Sequence, residues 1–324
     1  MNKQSFMPFA GLLLSAALFT GCSKEDTVYP ELQSDRQLAV NNTAVAAVAM
    51  NNWMSSLPDN TSIAAISIPG THDSGARVEP VAGTAKCQDL TIAAQLEAGI
   101  RFLDIRCRHI NNAFAIHHGS IYQNLNFNDV LLACTGFLNS HPGEVIVMSV
   151  KEEYDATGNN RTFEQTFDTY VQQYSAYWSL GATVPTLGQV RGKIVLLRRF
   201  GATTTPKGID ATSWGNNTTF TINNGSASLK IQDQYVVPDN TVKWNNITAL
   251  LTEAKAQTSN VLYINFTSGY RSLIFSIPSI PTVSNVINPN ITSYFTTNTQ
   301  GRFGIIPMDF ASADRTSLIV NTNF

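Results

Sequence analysis

Two histidines, two arginine-bearing strand ends, a lysine and a set of carboxylates stand where apolar runs of this chain stop. His72 and Asp73 close the stretch "SIPGTHDSGA", Asp104 and Arg106 sit in "RFLDIR", and His118 ends "AIHHG". Lys151 and Glu153 follow "VIVMSV", Arg199 follows "KIVLLR", Asp233 and Tyr235 end "KIQDQY", and Asp309 lies in "PMDF". Two histidines facing one cationic centre suit cleavage of a phosphodiester, one as base and one as acid, with a guanidinium neutralising charge on the phosphoryl oxygens. A serine nucleophile is disfavoured because no Gly-x-Ser-x-Gly elbow occurs. His and Asp can also bind metals, but no His-x-His or His-Glu-x-x-His places two ligands together. Taken singly, each residue has a plainer role: a solvated turn, an Asp104–Arg106 structural ion pair, or Lys151 as one surface charge beside Glu152 and Glu153. The set recurs at strand end after strand end, which chance placement does not explain.

Converging those residues requires a scaffold that collects strand ends. Apolar or β-branched runs at 63–68, 101–106, 113–117, 145–150, 193–198, 229–233, 261–266 and 303–309 read as strands. Between many of them, segments such as 90–100, 127–141, 163–174, 247–257 and 282–295 carry apolar residues three and four apart, as helices do. Near-continuous apolar strands alternating with helices predict parallel strands covered on both faces. The expected fold is α/β, a single-domain distorted (β/α)8 TIM-like barrel in which all strand ends meet on one face. "CRHINN" is too short for a crossover helix, and 201–227 has no helical period, so some helices should be missing.

Composition limits the partners. The chain has 324 residues, 43% hydrophobic and 14% charged, with formal charge −2 and no long run of either sign, so no nucleic-acid partner is expected. Residues 1–21 read as an export signal: Lys3, an apolar stretch from 8 to 20, and Gly21 before a cut. "FTGC" resembles the bacterial lipoprotein box, which would make Cys22 the lipidated first residue, and "SKED" is similar to the surface-export signal of Bacteroidetes lipoproteins. The expected organisation is a signal peptide (1–21), a lipidated tether (22–47) and a catalytic domain (48–324) on an outer-membrane-anchored, surface-exposed lipoprotein. Cys87, Cys107 and Cys134 match no zinc spacing; one disulfide or buried free thiols are both open.

Together and in order, "SIPGTHDSGA", "GIRFLDIRCR", "AIHHG", "VIVMSVKEEYD", "GKIVLLRRF", "KIQDQY" and "GIIPMDF" resemble the bacterial phosphatidylinositol-specific phospholipases C, from about Trp53 to the C-terminus. The resemblance implies cleavage of phosphatidylinositol, or of glycosylphosphatidylinositol (GPI) anchors, to diacylglycerol and a cyclic inositol phosphate. It implies His72 as general base oriented by Asp309, His118 as general acid partnered by Asp73, and Arg106, positioned by Asp104, at the phosphate. Lys151, Glu153, Arg199, Asp233 and Tyr235 would contact the inositol, with Tyr235 stacking on the ring and His117 structural. Arginine in "DIR" marks the metal-independent group, so no cofactor or metal is expected; a monomer is expected. Trp53, Trp244 and "YRSLIF" are candidates for touching membrane. A glycerophosphodiester phosphodiesterase would carry His-Arg-Gly where this chain has His72-Asp73-Ser74. An inactive lipid- or glycan-binding lipoprotein would lack a histidine or the arginine, and none is missing.

Overall fold

Strand alternation sets the architecture. The computed structural model describes residues 48–324, which belong to one compact unit; Cys22 and the proposed signal and tether lie outside the described residues. The strands are β1 (Ser67–Thr71), β2 (Phe102–Ile110), β3 (Ala113–His118), β4 (Ile121–Asn126), β5 (Val145–Glu152), β6 (Trp178–Ser179) and β7 (Lys193–Arg198). They continue with β8 (Ile209–Asp210), β9 (Thr218–Asn223), β10 (Ser228–Asp233), β11 (Val261–Asn265), β12 (Arg271–Ser272), β13 (Pro278–Ser279) and β14 (Gly304–Met308). The helices are α1 (Ile92–Glu97), α2 (Phe127–Ser140), α3 (Phe163–Gln173), α4 (Leu187–Val190), α5 (Asn240–Ala256), α6 (Pro281–Thr297) and α7 (Ala313–Asn321).

Twelve strands form one sheet, ordered β6-β7-β5-β2-β1-β14-β11-β10-β9 along its main path. Its neighbours pair in parallel except β9, which runs antiparallel on β10. Successive side chains of a strand point to opposite faces, and the core divides accordingly. Val145 and Val147, Val195 and Leu197, Leu229 and Ile231, and Leu262 and Ile264 pack together inside the curled sheet. Ile146 and Met148, Ile194 and Leu196, and Ile306 and Met308 face outward into the layer shared with the helices. Continued to the strand ends, the inward phase runs Phe102, Asp104, Arg106 on β2; Val147, Ser149, Lys151 on β5; and Leu229, Ile231, Asp233 on β10.

Local chemistry fixes the helices. Asn126 with Asp129 and Thr162 with Gln165 form capping boxes at the starts of α2 and α3, satisfying donors that a helix start leaves unpaired. Pro281 stands at the start of α6, where its missing N–H costs nothing.

The barrel is distorted in ways the strand pattern did not anticipate. Among the described residues no backbone ladder joins β9 to β8; instead Asn224 Nδ2 donates to the Asp210 carbonyl at 2.8 Å. The run 63–68 is not one strand: Ile63–Ala65 is a 3-10 turn capped by the Ser62 side chain, and β1 begins at Ser67. The run 113–117 is not a barrel strand, since β3 pairs antiparallel with β2. Asn111 and Asn112 between them have φ of 49° and 58°, the pair of left-handed residues that a two-residue hairpin turn needs and that Asn tolerates. The stretch 201–227, read as irregular, contains β8 and β9. Trp53 is fully buried with its indole donating to the Gly99 carbonyl, so it does not meet a membrane, and Trp244 is half-buried against Tyr294. Cys87, Cys107 and Cys134 are buried free thiols. No helix among the described residues is long and apolar enough to cross a membrane.

Candidate active site

At the carboxyl ends of the parallel strands lies a cleft of about 720 Å³ lined by His72, Arg106, His118, Lys151, Glu153, Arg199, Asp233 and Tyr235. His72 follows β1. Its Nδ1 lies 2.7 Å from Asp309 Oδ1, and Arg106 Nη2 lies 2.8 Å from Nε2. A carboxylate only accepts and a guanidinium only donates, so the pair assigns the tautomer: Nδ1 carries the proton and Nε2 keeps its lone pair. Burial disfavours the imidazolium, but the Asp309 carboxylate outweighs it and the histidine is more basic than usual. The close passage of β1 over β2 explains Gly70: a Cβ there would sit 2.9 Å from the Phe102 side chain.

Arg106 is held from below. Its Nε donates to Asp104 Oδ2 at 3.2 Å, with Asp73 and Glu153 carboxylate oxygens at 3.9 Å. Asp104 also accepts from the Asp73 backbone N–H and lies 3.6 Å from Arg199 Nη1. Burial alone would raise the carboxyl pKa of Asp104; Arg106 and Arg199 reverse this and hold it far below the ordinary range. Asp104 is therefore a fixed negative charge beneath the guanidinium. Asp73, fully buried, has neither carboxylate oxygen hydrogen-bonded, and burial raises its pKa.

His118 enters from the hairpin rather than from a barrel strand. Its Nδ1 lies 2.5 Å from the Ala85 carbonyl and 3.9 Å from Asp73 Oδ2, so the hydrogen-bond partner here is Ala85, with Asp73 behind it. His117 points the other way, buried, stacked on Tyr154. Glu153 joins the hairpin to β5: it accepts from the Gly119 N–H and pairs with Lys151 Nζ at 2.8 Å. Burial opposes its ionisation, but Arg106 and Lys151 pull its pKa down to about 2. Lys151 is pushed the other way, its ammonium disfavoured by burial and by Arg106.

The far wall carries the ring-binding candidates. Arg199 lies 3.7 Å over the Trp214 ring, and Trp214 donates its indole N–H to Asp233 at 2.9 Å. Tyr235 donates to Asn216 at 2.7 Å. Arg198, its neighbour in sequence, is turned away to Asp210 at 2.7 Å, which separates the two arginines cleanly.

All the sequence-predicted residues of the domain therefore gather in or directly beneath one cleft; Cys22 lies outside the described residues. Three neighbours escaped the sequence reading. Trp214 lies in the Thr/Asn/Gly-rich stretch, where only its type marked it. Gln88 donates to the His72 and Met308 carbonyls at 2.8 and 2.7 Å, clasping the ends of β1 and β14. Cys87, deeply buried with its thiol pKa raised by that burial, lies between the two histidine–aspartate pairs: His72, Cys87 and Asp309, and Asp73, Cys87 and His118, form two close donor triads.

Comparison with known proteins agrees with this geometry. Residues 70–200 match the family described as phosphatidylinositol-specific phospholipase C, X domain. The chain is 36% identical over 277 residues to a 1-phosphatidylinositol phosphodiesterase of Staphylococcus aureus (strain Newman), covering 80% of this chain and 88% of the relative. It is 31% identical over 288 residues to the Listeria monocytogenes protein of the same name, covering 86% of each. A solved structure of a variant phosphatidylinositol-specific phospholipase C from S. aureus superposes with TM-score 0.79 at 34% identity, covering 86% of this chain and 99% of that one. The L. monocytogenes enzyme superposes with TM-score 0.69 at 30% identity, covering 86% and 100%. Identity of 36% and 31% to these relatives over most of their length, with a family match across residues 70–200, places the chain in the phosphatidylinositol-specific phospholipase C family.

Proposed function

We propose that the protein cleaves phosphatidylinositol, and the inositol linkage of GPI anchors, to diacylglycerol and a 1,2-cyclic inositol phosphate. The observation that carries the mechanism is the arrangement of His72, Arg106 and His118 around one opening. His72 Nε2 has the lone pair to take the proton of the inositol 2-hydroxyl, and Asp309 stabilises the imidazolium that results. The 2-oxygen attacks phosphorus within the same molecule, so no ordered water is required. The Arg106 fork leaves Nε2 for the phosphoryl oxygens, where charge develops, while Asp104 keeps it oriented. His118 protonates the departing glycerol oxygen, and the Asp73 carboxylate behind it offsets its positive charge. Lys151, Glu153, Arg199 and Asp233 meet the inositol hydroxyls, and Tyr235 stacks on the ring.

The lipid has a neighbouring surface. Ile274 and Phe275 are 78% and 92% exposed, on the β12–β13 turn whose Ser272, Ser276 and Pro278 line the cleft. Phe275 and Ser276 both have positive φ, a conformation costly for such residues; it turns the apolar side chains outward, suited to a bilayer interface. The protein acts as a monomer, held at the outer membrane by lipid on Cys22 after removal of residues 1–21, with 22–47 as tether to the 48–324 domain. Replacing Cys22 by alanine should release the protein from the membrane fraction without loss of turnover on soluble substrate; retention would refute the anchor.

The reaction is tested by supplying phosphatidylinositol and phosphatidylcholine to the metal-free protein. Diacylglycerol should appear only from the inositol lipid, because a headgroup without the neighbouring hydroxyl lacks the nucleophile. Release from phosphatidylcholine would refute the mechanism.

A further inference from the structure

We infer that Asp73, Cys87 and His118 form an inhibitory site for a thiophilic divalent cation, with zinc as the ion it fits. Cys87 Sγ lies 4.0 Å and Asp73 Oδ2 3.9 Å from His118 Nδ1, and one donor atom from each residue lies within 4.8 Å of the others. Tetrahedral zinc with ordinary bond lengths holds such donors about 3.5 Å apart, so the triad needs to contract by only a fraction of an ångström to about an ångström. Asp73 and Cys87 are wholly buried and His118 is 24% exposed, so the triad lies at the floor of the cleft and is reached past His118.

The independent sign of a missing ligand is Asp73. Its carboxylate is wholly buried and neither oxygen has a hydrogen-bond partner, with only Arg106 Nε and His118 Nδ1 near Oδ2, both at 3.9 Å, a costly state for a polar group. The alternative triad of His72, Cys87 and Asp309 offers nothing comparable, because His72 and Asp309 already bond each other and Arg106 occupies His72 Nε2. Thiol, imidazole and one carboxylate are a borderline-soft set. Calcium and magnesium ask for six or more oxygens and are excluded.

Proton balance is local. In the free protein the Ala85 carbonyl faces both the Cys87 thiol, at 3.7 Å, and His118 Nδ1, at 2.5 Å. On binding, zinc forms bonds to Sγ, Nδ1 and an Asp73 oxygen. Cys87 loses its proton to solvent, since a coordinating thiol is deprotonated outright; the imidazolium of His118 gives up its Nδ1 proton to solvent and its contact with the Ala85 carbonyl, and keeps the proton on Nε2. Thiolate and carboxylate together neutralise the ion. His118 is then a neutral, metal-bound imidazole, a far weaker acid than imidazolium, so the leaving oxygen goes unprotonated. Inhibition rests on the acid role proposed for His118; binding does not.

The test uses chelator-stripped full-length protein and two readouts. Cadmium titration should give a thiolate-to-metal absorption band saturating at one equivalent, abolished by Cys87→Ser and displaced by zinc. Among the described residues no such triad includes Cys107 or Cys134, and loss of the band in Cys87→Ser is what assigns it to Cys87 rather than to Cys22. Zinc should slow turnover by about 10²- to 10⁴-fold, the range for a lost general acid, reversibly with chelator. Cys87→Ser should keep its turnover and need at least ~10-fold more zinc, as loss of a metal-site residue does. If Cys87→Ser fails to fold, Asp73→Asn must weaken the wild-type band. No band in the wild type, or an equal band in Cys87→Ser, overturns the site. A Cys87-dependent band with undiminished activity overturns instead the acid role of His118.

Discussion

His72 and His118 differ in what they demand of the substrate, and that difference is measurable. Alanine at either should cost about 10²- to 10⁴-fold in turnover. A substrate with a good leaving group should restore His118→Ala far more than His72→Ala, because only the acid's work becomes unnecessary; equal restoration would reverse or dissolve the assignment. The base must be neutral to act, and Asp309 raises its pKa. The rate should therefore climb with pH through a limb above the usual histidine range of about 6.5, and Asp309→Asn should move that limb to lower pH. A limb that stays in place would show that Asp309 does not tune the base. At this scale the sequence was highly legible, since residue types at strand ends named the histidines, Arg106 and Asp309. What it concealed was contact across the chain: the Ala85 carbonyl on His118, Gln88 under His72 and Trp214 beside Arg199 are close only in three dimensions.

Elements were legible where one periodicity ruled a segment, as in α2, α3 and β5, and illegible where short turns decided. The Asn111-Asn112 turn makes a hairpin of a run that apolar pattern alone assigns to the barrel, and it is this hairpin that delivers His118. The threonine-rich β9 alternates too weakly to stand out from its loop. The 201–208 segment shows how such a loop is held: Glu164 on α3 accepts from the Thr203 and Thr204 backbone N–H groups, the Thr203 hydroxyl and Lys207 Nζ. Burial works against ionised Glu164, but Lys207 and these donors bring its pKa down to about 2, against an ordinary 4.5. A carboxyl whose pKa is lower folded than unfolded contributes stability in full above the unfolded value and loses it as pH falls toward the folded one. Glu164→Gln should thus destabilise by about 2 to 3 kcal/mol near neutrality, as loss of charged hydrogen bonds does. Urea unfolding should show that gap closing between about pH 4.5 and 2; a gap unchanged by pH would refute the account of the loop.

Over the whole molecule, the barrel aims an active cleft and an apolar turn in one direction. Replacing Ile274 and Phe275 by serine should lower activity on phosphatidylinositol vesicles severalfold while sparing short-chain monomeric substrate; equal losses on both would place the turn in catalysis rather than at the membrane. The barrel class was legible because strand and helix periods alternate along the chain. Its open seam between β8 and β9, bridged by Asn224, was not, because closure depends on how far the twisted sheet curls and no local pattern records that. The central claim is that Arg106, fixed by Asp104, takes the place at the phosphate that a metal ion could fill, while the inositol 2-oxygen is the nucleophile. Phosphorus NMR of phosphatidylinositol with chelator-treated protein tests both parts at once. A cyclic phosphodiester should appear first, at a rate unchanged by EGTA or added calcium, with any acyclic monoester following later. Acyclic product from the outset, or turnover that stops in EGTA and returns with calcium, would contradict the account.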